Sequence, residues 1–136
     1  MTEDDWAAVV RDLRNANDVA VMVAAAERLH RAATPEDLPR LRALLNDESF
    51  FVREAAAWPL SELAGAQALP ELFHAYQRGF DQHHDNDGFS AALIELAVAD
   101  PEGVRKVLDT LAASDDAAVR ENAAWLMEFC GPWRDA

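Results

Sequence analysis

The sequence has little material for covalent cross-links or membrane insertion. Cys130 is its single cysteine, so no disulfide can form within the chain, and one thiol fits a reducing compartment. The first residues, Met1 to Asp5, are acidic where a secretory signal would be basic. No apolar run approaches the roughly 20 residues that a membrane-spanning helix needs. We therefore expect a cytoplasmic protein that does not bind a membrane.

Basic residues are also scarce. Twelve Lys and Arg stand against 25 Asp and Glu, which gives a formal net charge of −13. A chain this acidic repels phosphate backbones, so we expect no nucleic-acid partner. It suits a basic protein, whose approach its field would accelerate, although the same charge would also serve solubility alone. Arg outnumbers Lys by eleven to one and Ala is frequent, a bias typical of a bacterial genome rich in G and C.

Motifs that carry catalysis are missing as well. With only five glycines, the chain contains neither a phosphate-binding glycine loop nor a Gly-x-Ser-x-Gly turn. Asp and Glu are so abundant that any choice of a hydrolytic carboxylate pair would be arbitrary. We therefore expect no enzymatic activity and no cofactor.

What the chain does contain is an internal repeat. Val52–Trp58 and Val119–Trp125 are identical at six of seven positions, 67 residues apart. Half of that spacing, about 33 residues, is the size of one helix-turn-helix repeat. Weaker copies begin at Val21 and Phe89. The spacing predicts four helix pairs in one domain that covers residues 1–136.

Capping signals predict where the helices begin. Thr34-Pro35 and Asp100-Pro101 each place a capping side chain before a proline at the first helical position. Gly131-Pro132 is a stop signal for the last helix. The eight predicted helices cover residues 3–14, 18–32, 35–46, 50–64, 68–79, 88–99, 101–113 and 117–130.

Two stretches carry a resemblance to a known family. Asp37–Glu48, followed by Val52–Ala57, is similar to one complete HEAT repeat, with an early Leu-Pro, a polar turn, then Val-Arg and paired alanines; residues 101–129 repeat most of this pattern. The resemblance implies an all-α fold, a short right-handed α-solenoid of about four HEAT-like helix pairs. It also implies that the second helices line the concave side and that the protein binds other proteins.

The repeat register predicts what the second helices expose. In the second pair, Val52, Ala56 and Leu60 form one apolar stripe at helical spacing, which leaves the opposite face polar. In the second pair this face carries Ser61, and the alignment of the first pair adds His30. The same face carries the residues that we predict to form a protein-binding surface: Glu27, Glu54, Trp58, Glu95, Glu121, Trp125 and Glu128.

The two tryptophans of this face have two interpretations. As exposed rings among carboxylates, Trp58 and Trp125 would act as binding anchors. As largely buried rings, they would pack against the neighbouring repeat. The sequence leaves both open.

The segment His83–Gly88 is the one place that resembles a metal site. Two adjacent histidines beside Asp85 could share a metal, but the ligands lack regular spacing and the segment fails as a calcium-binding EF-hand loop. A solvated loop with a helix cap at Asp85 or Asp87 is the simpler interpretation. We therefore predict no metal site.

Three functions follow from these features. The first is a protein-binding module, in its most specific form a bacterial immunity or inhibitor protein that neutralises a basic toxin through its acidic concave face. The second is an accessory or chaperone-like factor that handles a cofactor for a partner enzyme. The third is a metal-dependent activity at the His83-His84 loop. Charge and the absence of catalytic motifs favour the first.

Overall fold

The computed structural model describes residues 1–131 of the chain. Within that range it contains eight α-helices and no β-strand, which confirms the predicted all-α fold of four helix pairs. The helices are α1 (Glu3–Leu13), α2 (Val19–Ala32), α3 (Leu38–Leu45), α4 (Phe50–Ala64), α5 (Leu69–Asp81), α6 (Asp87–Ala99), α7 (Pro101–Leu111) and α8 (Ala117–Met127).

Capping side chains set the starts of four of the eight α-helices. The side chains of Thr2, Asp18, Asp100 and Asp116 each accept a hydrogen bond from a backbone N–H in the first turn of the helix that follows. These bonds satisfy donors that have no partner inside the helix. Asp100 therefore acts as predicted. The last helix ends at Met127 in a 3₁₀ turn, Glu128–Cys130, and Pro132 of the predicted stop signal lies outside the described residues.

The repeated Leu-Pro dipeptide explains where two helices begin later than predicted. Pro39 has no N–H to donate to the Pro35 carbonyl, so Leu38 donates instead and Pro35–Asp37 forms a 3₁₀ turn before α3. The same hydrogen-bond pattern occurs 31 residues later, where the Leu69 N–H donates to the Ala66 carbonyl directly before Pro70. Each proline therefore shortens the α-helix at its N-terminus and adds a tighter turn.

The chain forms two compact units that divide after Leu63. Unit 1 holds α1 to α4 except Ala64, the last residue of α4, and unit 2 begins at Ala64 and holds α5 to α8. The single domain predicted for residues 1–136 stays a prediction. Fully buried side chains include Val9, Leu13, Leu29, Leu41, Val52 and Leu60 in unit 1 and Leu72, Phe89, Leu93, Val104, Leu108 and Leu126 in unit 2.

The Val-Arg motif joins the two helices within a repeat. Arg53 donates through Nη1 to the carbonyls of Asp47 and Glu48, each at 2.9 Å. Arg120 makes the equivalent bond to the Ser114 carbonyl at 2.7 Å, and Ser114 is the position 67 residues after Asp47. Both arginines thus reach back six residues across the turn. Arg53 is fully buried whereas Arg120 is exposed.

Candidate functional site

One stripe of α4 reaches the surface of unit 1. Buried residues cover most of the helix circumference. Glu54 and Trp58 are half-buried, and Glu62 is exposed. Spacings of four residues align these three along one side of the helix. Ser61, which the register had placed on this face, is instead buried, and its hydroxyl donates to the Trp58 carbonyl at 2.9 Å. The side chain exposed at this end of the stripe is therefore that of Glu62, one residue after Ser61.

A cluster of three side chains joins α2 to α4. His30 Nε2 donates to Glu62 Oε1 at 2.7 Å, and the His30 ring lies 6.0 Å from the Trp58 ring, tilted by 43°. His30 and Glu62 are 40% and 56% exposed, so the cluster lies at the surface. The geometry therefore brings together His30 and Trp58, which the repeat alignment had placed on one face from different repeats.

The same side of α2 extends this surface with acidic and apolar groups. Glu27 is exposed, as is Val23 (44%) four residues before it. With His30 three residues after Glu27, these side chains follow one helical stripe. We call the set Glu27, His30, Glu54, Trp58 and Glu62 the unit 1 face. Carboxylates, one indole and one imidazole make up this face, and that combination suits a positively charged side chain.

In unit 2, the predicted acids are exposed as well. Glu95 on α6, Glu121 on α8 and Glu128 in the turn after α8 all lie at the surface. Glu121 precedes Trp125 by four residues and so lies on its side of α8, while Glu128 follows Trp125 by three residues at the start of the 3₁₀ turn. The acids of the second helices are thus available to a partner in each unit.

Trp125 makes extensive contacts inside unit 2. Its ring stacks on Tyr76 of α5, with centroids 5.6 Å apart and an angle of 21°, and meets Phe129 edge-on at 5.5 Å. Tyr76 is buried, and its hydroxyl lies 2.7 Å from Ser90 Oγ. Burial raises the pKa of Tyr76, and nearby Asp87 adds to this rise although the Ser90 hydrogen bond opposes it. Trp125 therefore packs between the third and fourth helix pairs while keeping part of its ring at the surface.

The histidine segment has a structural explanation. His83 adopts φ 63°, and the N–H groups of His83 and His84 donate to the carbonyls of Phe80 and Gly79 at 3.0 and 2.9 Å. This pair of bonds is the Schellman pattern that closes a helix C-terminus. Asp85 accepts a hydrogen bond from the Asp87 backbone at 2.9 Å, and the cap of α6 is Asn86 rather than either predicted aspartate. Within residues 1–131, no three His, Cys, Asp or Glu side chains gather as metal ligands.

Cys130 is buried at the end of the last 3₁₀ turn. Burial raises the pKa of its thiol, although the positive charge of Arg105 acts in the opposite direction. Arg105 also donates to the Cys130 carbonyl. Because the thiolate is the nucleophilic form, this environment fits packing rather than reactivity.

Sequence reasoning missed several contributors to these surfaces. Tyr76 and Phe129 support Trp125, and Glu62 holds His30. A usable signal existed for Glu62, which lies four residues after Trp58 and 32 after His30, close to the repeat length. No repeat signal singles out Tyr76.

None of the helices among the described residues is long and apolar enough to span a membrane.

Comparison with known proteins identifies the family. No curated protein matches the chain. The pattern of HEAT repeats matches residues 7–83, more than half of the sequence. These residues include α3 and α4, the helix pair whose sequence resembles one complete HEAT repeat. The chain therefore belongs to the HEAT-repeat family, whose repeats in general serve as protein-interaction modules.

Proposed function

We propose that this protein is a non-catalytic binding module that recognises a basic protein through the side chains exposed by its second helices. Membership in the HEAT-repeat family supports the protein-binding part. The net charge of −13 supports a basic partner, because opposite charges steer association and suppress wrong partners.

The observation that carries this proposal is the His30–Trp58–Glu62 cluster of the unit 1 face. A tryptophan that is only half-buried keeps part of its ring available to a partner. Glu62 beside it is 56% exposed. Glu27 lies on the side of α2 that carries His30, and Glu54 lies on the side of α4 that carries Trp58. An arginine side chain from a partner could stack on the Trp58 ring and pair with Glu62, an arrangement that favours Arg over Lys.

The most specific form of the proposal is an immunity or inhibitor protein that neutralises a basic toxin. Unit 2 contributes the larger part of the net negative charge, since it holds 13 of the 25 acidic residues and only five of the twelve basic residues. A nuclease, whose substrate groove is positive, is the kind of target that such a surface would block. Fast, electrostatically steered association is what an inhibitor of a toxic enzyme needs.

The test begins with affinity capture from the native organism and continues with binding kinetics on the recovered partner. Trp58→Ala should weaken binding roughly 30-fold, the equivalent of about 2 kcal/mol, with a small change in melting temperature. Trp125→Ala is the matched comparison. Its ring stacks on Tyr76, so its removal should mainly destabilise the fold, by about 3 kcal/mol.

Two results would decide against the proposal. A Trp58→Ala variant that loses stability but keeps its affinity removes Trp58 from the binding surface. A partner that binds the unit 1 face through an acidic surface would contradict the charge argument itself. For the inhibitor form, one equivalent of the protein should abolish the catalytic activity of the captured partner, and an unaffected activity at saturation would exclude inhibition.

A further inference from the structure

The first helices of unit 1 form a groove that the proposed binding surface does not use. It lies between α1 and α3 and has a volume of about 440 Å³. Val10 and Leu44 supply an apolar floor, while the exposed alanines Ala7 and Ala43 leave the space open. A larger side chain at either alanine would fill it.

Three arginines surround this floor. Arg11 and Arg14 follow Ala7 at helical spacing on α1, and Arg40 lies across from them on α3. The side chains of Arg11, Arg14 and Arg40 are 75%, 54% and 34% exposed. Unit 1 has seven arginines against twelve acidic residues, so three positive charges in one groove run against its overall charge.

The arginines differ in how firmly they are held. Arg40 is fixed, because its Nη2 donates to Asp37 Oδ1 at 2.5 Å and its guanidinium lies 4.6 Å from the centre of the Trp6 ring. Arg14 pairs with Asp47. Among residues 1–131, the ion pair of Arg11 is a long contact to its half-buried neighbour Asp12, with Nε 3.4 Å from Oδ1. Because a guanidinium has five donors, Arg11 and Arg14 each retain donors for a second carboxylate.

We propose that this groove binds an acidic, partly apolar segment of a partner protein. Carboxylates of the segment pair with Arg11 and Arg14 at the rim, and its apolar side chains cover Val10 and Leu44. This is a second binding site of opposite charge preference, on first helices rather than second helices. It does not depend on the basic partner proposed above.

Charge around the groove favours a peptide over a nucleic acid. The exposed acids Glu3, Asp4 and Asp5 occupy the first turn of α1, only a few residues before Trp6. A phosphate backbone running along the groove would meet them and be repelled. A short peptide can place its carboxylates beside the arginines alone and present apolar groups to the floor.

The experiment uses the full chain and a synthetic probe. The probe is an amphipathic helical peptide of about 16 residues, roughly four turns, with a Glu stripe beside a Leu stripe. Titration into isotope-labelled protein should shift the NMR signals of the Trp6 indole and the Ala43 amide. Arg11→Glu and Ala43→Leu should each weaken binding at least about tenfold, which is about 1.4 kcal/mol.

Matched controls lie on α2, outside the groove. Arg31→Glu and Ala24→Leu make the same chemical changes at exposed positions and should leave the probe affinity within about twofold. Since Arg11, Ala43, Arg31 and Ala24 are all exposed, thermal melts of the four variants should agree with the unaltered chain, which separates lost binding from lost folding.

Three outcomes would overturn the proposal. The first is an absence of shifts, or shifts outside α1 and α3. The second is equal binding of a single-stranded oligonucleotide of the same charge, which would make the groove a phosphate site. The third is self-association in sedimentation that Arg11→Glu abolishes, which would assign the groove to an acidic segment of a second copy.

Discussion

At the scale of single residues, the junction of α5 and α6 depends on one glycine. Asn86 is buried, and its Nδ2 donates to the Tyr76 carbonyl at 2.9 Å. A Cβ placed on Gly79 would lie 2.3 Å from Asn86 Oδ1, far closer than two such atoms can approach. Gly79 thus lets the Asn86 side chain lie against α5, next to the tyrosine that supports Trp125.

Gly79→Ala gives a prediction whose sign is informative. Helix propensity alone favours Ala over Gly by about 1 kcal/mol, so without a clash the variant would be more stable. We expect the opposite, a loss of about 1–2 kcal/mol, because Asn86 must move from its buried position. Urea denaturation measures the change, and a stabilised variant would show that the Asn86 side chain is not held there.

Asp37 provides a prediction about pH. Burial alone would raise the pKa of this carboxyl, but hydrogen bonds from the Thr34 backbone, Arg40 and the Met1 amino group outweigh it and leave the pKa below the ordinary value of 3.8. A lowered pKa contributes stability above the unfolded pKa, and that contribution is lost as the pH falls through the folded pKa.

Asp37→Asn should therefore cost about 2 kcal/mol at pH 7, because it removes a buried, hydrogen-bonded charge. The difference between the two proteins should begin to shrink as the pH falls below 3.8, because the unfolded chain then takes up a proton that the folded aspartate still excludes, and it should vanish below the lower pKa of the folded state. Urea denaturation from pH 7 down to about pH 3 measures the gap. A gap that stays constant over this range would contradict the role assigned to the charge.

At the scale of helices and repeats, the Val-Arg motif occurs twice with different burial. Arg53 is fully buried and bonds two carbonyls, whereas Arg120 is exposed and bonds one. We expect Arg53→Met to lose about 3 kcal/mol and Arg120→Met no more than about 1 kcal/mol, since the variant at position 53 removes a fully buried side chain and two hydrogen bonds rather than one. Equal losses in calorimetry would mean that burial does not govern the motif.

Adjacent alanines on α8 test the close approach of helices. Ala123 is 2% exposed and Ala124 is exposed. Ala123→Leu should destabilise the protein by about 1–3 kcal/mol through overpacking, whereas Ala124→Leu should stay within about 0.5 kcal/mol. Chemical denaturation of both variants checks this. A neutral Ala123→Leu would disprove the register assigned to the repeat.

Much of the helical architecture could be predicted from local sequence. Asp100-Pro101 marked the start of α7, and the limits predicted for α4 agree with Phe50–Ala64. Such signals are local, because a cap acts within one turn. The burial of Arg53 and the stacking of Trp125 on Tyr76 depend on residues distant in the chain, and a single sequence contains no pattern for them. The arginine groove was missed for the same reason, as α1 and α3 had to be placed side by side first.

At the scale of the whole molecule, the question is whether position or net charge governs binding. Unit 1 and unit 2 each expose acids on second helices, Glu27 in one and Glu121 in the other. Each also exposes acids elsewhere, Glu36 before α3 and Asp109 on α7. Reversing any one of the four changes the formal net charge by the same amount, from −13 to −11. Their effects on binding can therefore differ only through position.

The most direct test of the central claim is the association and dissociation kinetics of these four charge reversals on the captured partner. Glu27→Lys and Glu121→Lys should slow association and speed dissociation, with affinity reduced roughly tenfold or more, because each places a repelling charge inside the contact. Glu36→Lys and Asp109→Lys should change association slightly and leave dissociation unaltered. Four equal effects, confined to the association rate, would mean that net charge alone attracts the partner and that the second helices do not form the binding surface.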